Sequence, residues 1–158
     1  MAREHTVLIV TDDSELARNA AAAAEDNGAE GVTVASFDEA ISAADGQEIT
    51  MAVIDLDLPD DEGWRTTEEL RRLYFRRPLQ VLLCSENRES EFAKTALDAG
   101  GDDFLIKPVD EPEMYVRLGA ATIRLRHQTD LHHEREFYRR AVKQEEELSS
   151  RVLDQNLH

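Results

Sequence analysis

The sequence has one cysteine in 158 residues, Cys84, so no internal disulfide can form and a reducing, cytoplasmic setting is expected. No apolar run approaches the ~18–20 residues that a membrane-spanning helix needs. The opening M-A-R-E-H-T-V-L-I-V has a short apolar stretch and no small-residue cleavage site, so it does not read as a secretory leader. Four prolines and seven glycines exclude collagen-like and low-complexity chains. No Cys/His cluster has zinc spacing, and His132-His133 reads as a solvated pair. Basic residues are scarce at one end. Residues 1–62 hold 16 acidic and 2 basic side chains, whereas residues 63–158 hold 18 and 16, for a net charge of −16. Such an acidic surface repels phosphate backbones and anionic lipid. Neither nucleic acid nor membrane is therefore expected as a partner, whereas a divalent cation or a basic protein suits the charge.

What is present is alternation. Five short apolar runs lie at Val7-Leu8-Ile9-Val10, Val32-Thr33-Val34, Met51-Ala52-Val53-Ile54, Val81-Leu82-Leu83-Cys84 and Phe104-Leu105-Ile106. Four are continuously apolar, as parallel strands covered on both faces must be. Between them, residues 14–27, 37–44, 64–75 and 92–99 carry helical patterns. Trp64, Thr67, Leu70 and Tyr74 share one helical face, and Phe92, Ala96 and Ala99 another. The pattern predicts an α/β doubly wound parallel sheet, with ligands beyond the carboxyl ends of the strands.

Those ends carry polar groups. Strand one ends in V-T-D-D (Asp12, Asp13), strand three in V-I-D (Asp55), strand four in L-L-C-S (Ser85) and strand five in L-I-K-P (Lys107, Pro108). Taken singly, each has a plain alternative: an acid or Ser85 as a helix cap, Asp55 as a loop acid, Lys107 as a surface residue. Taken together, they converge on one rim. Carboxylates ~4 Å apart repel by about 4 kcal/mol per pair at an effective dielectric of 20. Such a cluster takes up protons or binds a cation, and hard oxygen donors suit Mg²⁺.

Over residues 6 to about 124 the chain resembles the receiver domain of two-component response regulators. The resemblance rests on Asp12-Asp13, the block D-L-D-L-P-D-D-E-G from Asp55 to Gly63, the Ser85 hydroxyl, and A-G-G-D-D-F-L-I-K-P from Ala99 to Pro108. It implies a flavodoxin-like (βα)₅ fold of strand order 2-1-3-4-5. It also implies that Asp55 accepts a phosphoryl group from a phosphohistidine of a sensor histidine kinase. In that scheme Asp13 and Asp55 bind Mg²⁺ directly, Asp12 through water and Asp57 through its backbone carbonyl. Lys107 and Ser85 contact phosphoryl oxygens, and Phe104 changes rotamer as Ser85 moves. The chain departs from the family pattern at Glu62, where Asp is usual, and at Glu86, where a small residue is usual. Glu86 is expected to modulate phosphorylation by repelling the donor. Arg117 follows Asp102-Asp103 in the chain as in receivers that dimerise through the fourth helix, fifth strand and fifth helix, and reads equally as an ordinary surface residue.

The last third is different. No proline follows Pro112 and no glycine follows Gly119, so residues 113–157 can form one helix of ~45 residues, about 65 Å long. A compact domain would end near residue 124, leaving 1–124 as receiver and 125–158 as a helical extension. A seam of heptad spacing runs through Leu131, Glu134, Tyr138, Ala141, Glu145, Leu148, Val152 and Gln155. It is only partly apolar, so a weak parallel homodimer is expected. The extension reads as a coiled-coil linker toward an output domain outside this chain, or as the docking helix of a stand-alone binding module. A metabolic flavodoxin-like enzyme is disfavoured, because no Gly-rich phosphate loop is present. The chain itself is expected to be a signalling phosphoacceptor and not an enzyme.

Overall fold

The computed structural model describes residues 3–157. The elements in chain order are β1 (Thr6–Val10), α1 (Ser14–Asp26), β2 (Glu30–Val34), α2 (Phe37–Gly46), β3 (Met51–Asp55), a 3-10 turn (Pro59–Asp61), α3 (Glu62–Leu73), β4 (Gln80–Ser85), α4 (Ser90–Asp98), β5 (Asp103–Ile106) and α5 (Glu111–Leu157). The strands form one parallel sheet of order β2-β1-β3-β4-β5. The order of strand addition reverses between β1 and β3, which leaves a crevice at their carboxyl ends.

The continuous apolar runs follow from two cores. On one face Val7, Ile9, Met51, Val53, Leu82, Cys84 and Leu105 pack against α1 and α5. On the other, Leu8, Val10, Ala52, Ile54, Val81 and Leu83 pack against α2, α3 and α4. Every residue of β3 and β4 is buried, whereas the edge strand β2 is exposed or half-buried along its length. The alanine run of α1 puts Ala20, Ala23 and Ala24 fully inside, where small side chains let the helix lie close to the sheet.

Helix α3 begins at Glu62, two residues before the expected Trp64, and ends at Leu73 rather than Phe75. Its early start is built on Gly63, because a Cβ there would lie 2.2 Å from the Asp55 carbonyl oxygen. The glycine lets the helix rest directly on the backbone that carries Asp55. Asp60 and Asp61 precede it at φ 58° and 55°, the left-handed region that aspartate tolerates better than most residues. At the other end, Tyr74 caps the helix and accepts the Ile49 N–H on its hydroxyl.

Helix α5 runs 47 residues. Asp110 caps it, accepting the Glu113 N–H on its side chain. Met114, Leu118, Ala121 and Leu125 are its buried residues, spaced four, three and four apart as one helical face requires. Past Leu125 the sheet ends. Gln128 still hydrogen-bonds Gln80, and Arg124 holds the same side chain. Beyond residue 136 every described side chain is exposed.

Candidate functional site

The parallel register aligns the strand ends. Val10 pairs with Ile54, Asp55 with Cys84, and Ser85 with Ile106. The Lys107 N–H then donates to the Ser85 carbonyl, which sets the lysine beside the serine. Asp55 lies at the centre of the rim and is 1% exposed.

One ammonium organises the site. Lys107 Nζ lies 2.7 Å from Asp55 Oδ1, 3.3 Å from Asp57 Oδ2 and 3.9 Å from Asp13 Oδ2. Burial acts to lower the lysine's pKa, but the hydrogen bonds and charges of Asp55 and Asp57 outweigh it and hold the pKa above its ordinary value. Asp55 has further partners. Its Oδ2 accepts the Thr11 hydroxyl at 2.6 Å, and its Oδ1 accepts the Asp57 N–H at 2.9 Å.

Asp57 is held as closely. Its Oδ1 accepts the Ser85 hydroxyl at 2.7 Å, and its Oδ2 accepts the Glu86 N–H at 2.8 Å. Partial burial acts to raise its pKa, but the bonds from Ser85 and Glu86 and the charge of Lys107 together lower it. Ser85 is fully buried, and its oxygen also accepts the Asn87 N–H. Cys84, on the opposite face of β4, is buried, and burial pushes its thiol pKa far up, so it stays a core thiol.

Asp13, Asp55, Asp57, Ser85 and Lys107 therefore meet. Asp13 also caps α1, with its Oδ1 accepting the N–H groups of Glu15 and Leu16, so this acid is a helix cap as well as a neighbour of Lys107. Asp12 is exposed and makes no hydrogen bond or ion pair with the other site residues. Glu86 reaches the site with its backbone N–H, and the residue is exposed. Phe104 lies outside the polar cluster, edge-on to Phe92 at 5.9 Å, and Phe92 is edge-on to Trp64 at 5.5 Å. Glu62 accepts the Phe37 N–H and so links the start of α3 to α2. Arg117 pairs with Asp103 and Glu113.

Sequence reasoning passed over Thr11. It is 3% exposed, bonds Asp55, and accepts the Asp13 N–H on the same oxygen. Its one signal was position, as a hydroxyl between a buried strand and an acid pair. The other unforeseen feature is the role of Asp57, whose carboxylate faces the site where only its carbonyl was expected to matter.

The donor chemistry fits Mg²⁺, since the neighbouring carboxylates of Asp13 and Asp55 offer hard oxygens. Among the described residues, however, no three acidic side chains stand ready around a common metal position. Lys107 occupies the middle of the acids and balances their charge.

A rim of clustered acids, a buried lysine and a hydroxyl at the carboxyl ends of a parallel sheet defines a phosphoacceptor site of the signalling type. The family described as "Response regulator receiver domain" matches residues 7–119, and the chain belongs to it. It is a receiver domain of two-component systems, a phosphoacceptor unit for which histidine kinases are the general phosphodonors. The Escherichia coli transcriptional regulatory protein BasR is 30% identical over 116 residues, covering 72% of this chain and 50% of BasR. The probable transcriptional regulatory protein TcrX of Mycobacterium tuberculosis is 34% identical over 115 residues, covering 73% and 48%. The chain thus spans about half the length of the curated relatives it matches. Among solved structures, a CheY-like receiver domain protein from Methanospirillum hungatei superposes with a TM-score of 0.67 at 24% identity, covering 80% of this chain and 97% of its own. NtrX from Brucella abortus superposes with a TM-score of 0.72 at 22% identity, covering 83% and 29%. Both show the same fold.

Proposed function

We propose that Asp55 takes a phosphoryl group from a phosphohistidine of a sensor histidine kinase, and that the chain passes the resulting change along α5 to an output domain or partner. The observation that carries this reading is the buried Asp55 carboxylate with the Lys107 ammonium 2.7 Å away and the Ser85 hydroxyl across the crevice. An Asp55 oxygen attacks phosphorus, the P–N bond to the imidazole breaks, and the imidazole nitrogen leaves with the bonding pair. Phosphoryl transfer depends chiefly on positioning and on neutralising the phosphoryl oxygens. Lys107 and Ser85 face the place where those oxygens would develop, while Thr11 fixes the rotation of the Asp55 carboxylate. Asp13 and Asp55 would hold Mg²⁺ directly, Asp57 through its backbone carbonyl and Asp12 through water. The ion, when bound, would supply positive charge to the transferred group.

The switch is Ser85 with Phe104. Ser85 engages the phosphoryl group, and Phe104 follows against Phe92. Residues 1–124 act as receiver and 125–158 as helical extension. Leu131, Tyr138, Leu148 and Val152 are each more than half exposed, as an unpaired seam would be. Glu134, Glu145 and Gln155 interrupt the seam, so the parallel homodimer is weak and a bias of a few kcal/mol from the receiver can shift it. Phe137, Val142 and Leu153 are also exposed and widen the apolar surface beyond the seam. That width favours a second reading, a helix that docks a partner protein in a phosphorylation-tuned way. In either case the chain works in the cytoplasm, and its acidity keeps it off nucleic acid and membrane. No described helix is long and apolar enough to cross a membrane.

The test is labelling with a small phosphodonor and Mg²⁺. Wild type should gain one phosphoryl group and Asp55→Asn none. Labelling of Asp55→Asn at the wild-type rate refutes the assignment.

A further inference from the structure

We infer that the Asp57 carboxylate is an internal stand-in for the phosphoryl group, seated on the Ser85 and Lys107 donors that the phosphoryl group would use and on the Glu86 N–H beside them. The inference rests on the phosphoacceptor reading of Asp55. Three donors converge on Asp57 from three places: the Ser85 hydroxyl at 2.7 Å, the Glu86 N–H at 2.8 Å and the Lys107 ammonium at 3.3 Å. They come from the end of β4, the residue after it and the residue after β5. Charge-assisted bonds of this kind are the stronger ones in proteins.

The competition is exclusive for two of the donors. A serine hydroxyl has one proton. In the resting chain that proton lies on Asp57 Oδ1, and the Asn87 N–H holds the oxygen from the other side. The Glu86 N–H likewise has a single proton, and Asp57 Oδ2 takes it. A phosphoryl group on Asp55 cannot gain either bond until Asp57 withdraws. Only Lys107, with three protons and contacts to both Asp55 and Asp57, can serve old and new partners together.

Two consequences follow. Ser85 is already drawn toward an anion before phosphorylation, so arrival of the phosphoryl group exchanges one anion for another and does not fill an empty seat. Asp57 is then the side chain that must withdraw, and it is about one third exposed and has solvent to move into. The resting site is thereby guarded, because small anions must displace a tethered carboxylate held at high effective concentration.

Beryllofluoride, a phosphoryl mimic, tests this at saturating Mg²⁺. Trp64 fluorescence is the readout, since Trp64 touches Phe92, which touches Phe104. Asp57→Ala keeps the backbone carbonyl and should bind beryllofluoride at least tenfold more tightly than wild type. Loss of a nearby charge alone would also help an anion, so Glu86→Gln serves as a comparison and should give a smaller gain. The deciding measurement is a double-mutant cycle with Ser85→Ala. Removing the hydroxyl should weaken beryllofluoride binding more in the Asp57→Ala background than in wild type, because only there is its proton available. Equal losses in the two backgrounds, or no tightening in Asp57→Ala, overturn the stand-in. If beryllofluoride binds Asp55→Asn as well as wild type, the phosphoacceptor reading itself has failed, and the two failures are thus distinguishable.

Discussion

Replacing Lys107 with methionine separates its two roles, as charge balance for the acids and as occupant of the place a cation would need. Methionine fills much of the lysine stem's volume, so the change is chiefly loss of the ammonium. Lys107 is about one tenth exposed and Asp55 almost fully buried. Removing one partner of a buried ion pair costs about 3–5 kcal/mol, because the other charge is left uncompensated. Asp55 keeps its bonds from the Thr11 hydroxyl and the Asp57 N–H, so the lower end, about 3 kcal/mol, is expected in the absence of divalent ions. With a urea slope of about 2 kcal/mol/M, the midpoint should fall by about 1.5 M. Magnesium should then restore stability, since the Asp13 and Asp55 carboxylates without their ammonium make a stronger cation site. At a hundred times its dissociation constant, an ion that binds only the folded state adds about 2.7 kcal/mol. Wild type should gain less over the same Mg²⁺ range, because there the ion competes with Lys107. Urea titrations followed by Trp64 fluorescence, in chelator and in Mg²⁺, give all four midpoints. A variant as stable as wild type in chelator, or one that gains no more from Mg²⁺ than wild type does, refutes the account of Lys107 as a resident counter-ion.

Glu86→Ala should speed phosphorylation by small anionic donors several-fold, because repulsion between partly exposed charges is worth about 0.5–1 kcal/mol. An unchanged or slower rate in a donor-concentration series would show that the Glu86 side chain points away from the mouth. Leu148→Asp should shift the protein toward monomer in sedimentation and leave Asp55 labelling intact, since Leu148 lies on the exposed part of α5, many helical turns past the last packed residue. Wild type that stays monomeric at high concentration, phosphorylated or not, removes the homodimer and leaves the docking helix.

The sheet and the rim were legible because both follow from chain order. A parallel strand covered on both faces must be apolar throughout, and its carboxyl end must open on the crevice. Asp55, Ser85 and Lys107 could therefore be placed by counting residues after Ile54, Cys84 and Ile106. The long α5 was legible for a different reason, the absence of any breaker after Gly119. Gly63 could be seen in the motif, but its cause could not. Only the approach of α3 to the Asp55 carbonyl shows that any side chain at that position would collide.

What escaped the sequence was the sharing of protons. A threonine at a strand end looks like any other strand residue, and nothing in V-T-D-D says that Thr11 turns its hydroxyl onto a carboxylate 44 residues later in the chain. The carbonyl role of Asp57 is what the family resemblance implies, whereas its side chain is set by rotamer and by the donors that lie close to it. Hydrogen-bond partnership depends on distances of tenths of an ångström, and linear spacing carries no such information. Both features touch the proposed acceptor site directly. Thr11 holds one Asp55 oxygen, and Asp57 sits on the donors that its phosphoryl group would need. Composition and topology thus bring Asp13, Asp55, Ser85 and Lys107 to one rim. Any phosphorylation rate of this chain would depend on such local contacts, which the motif does not specify.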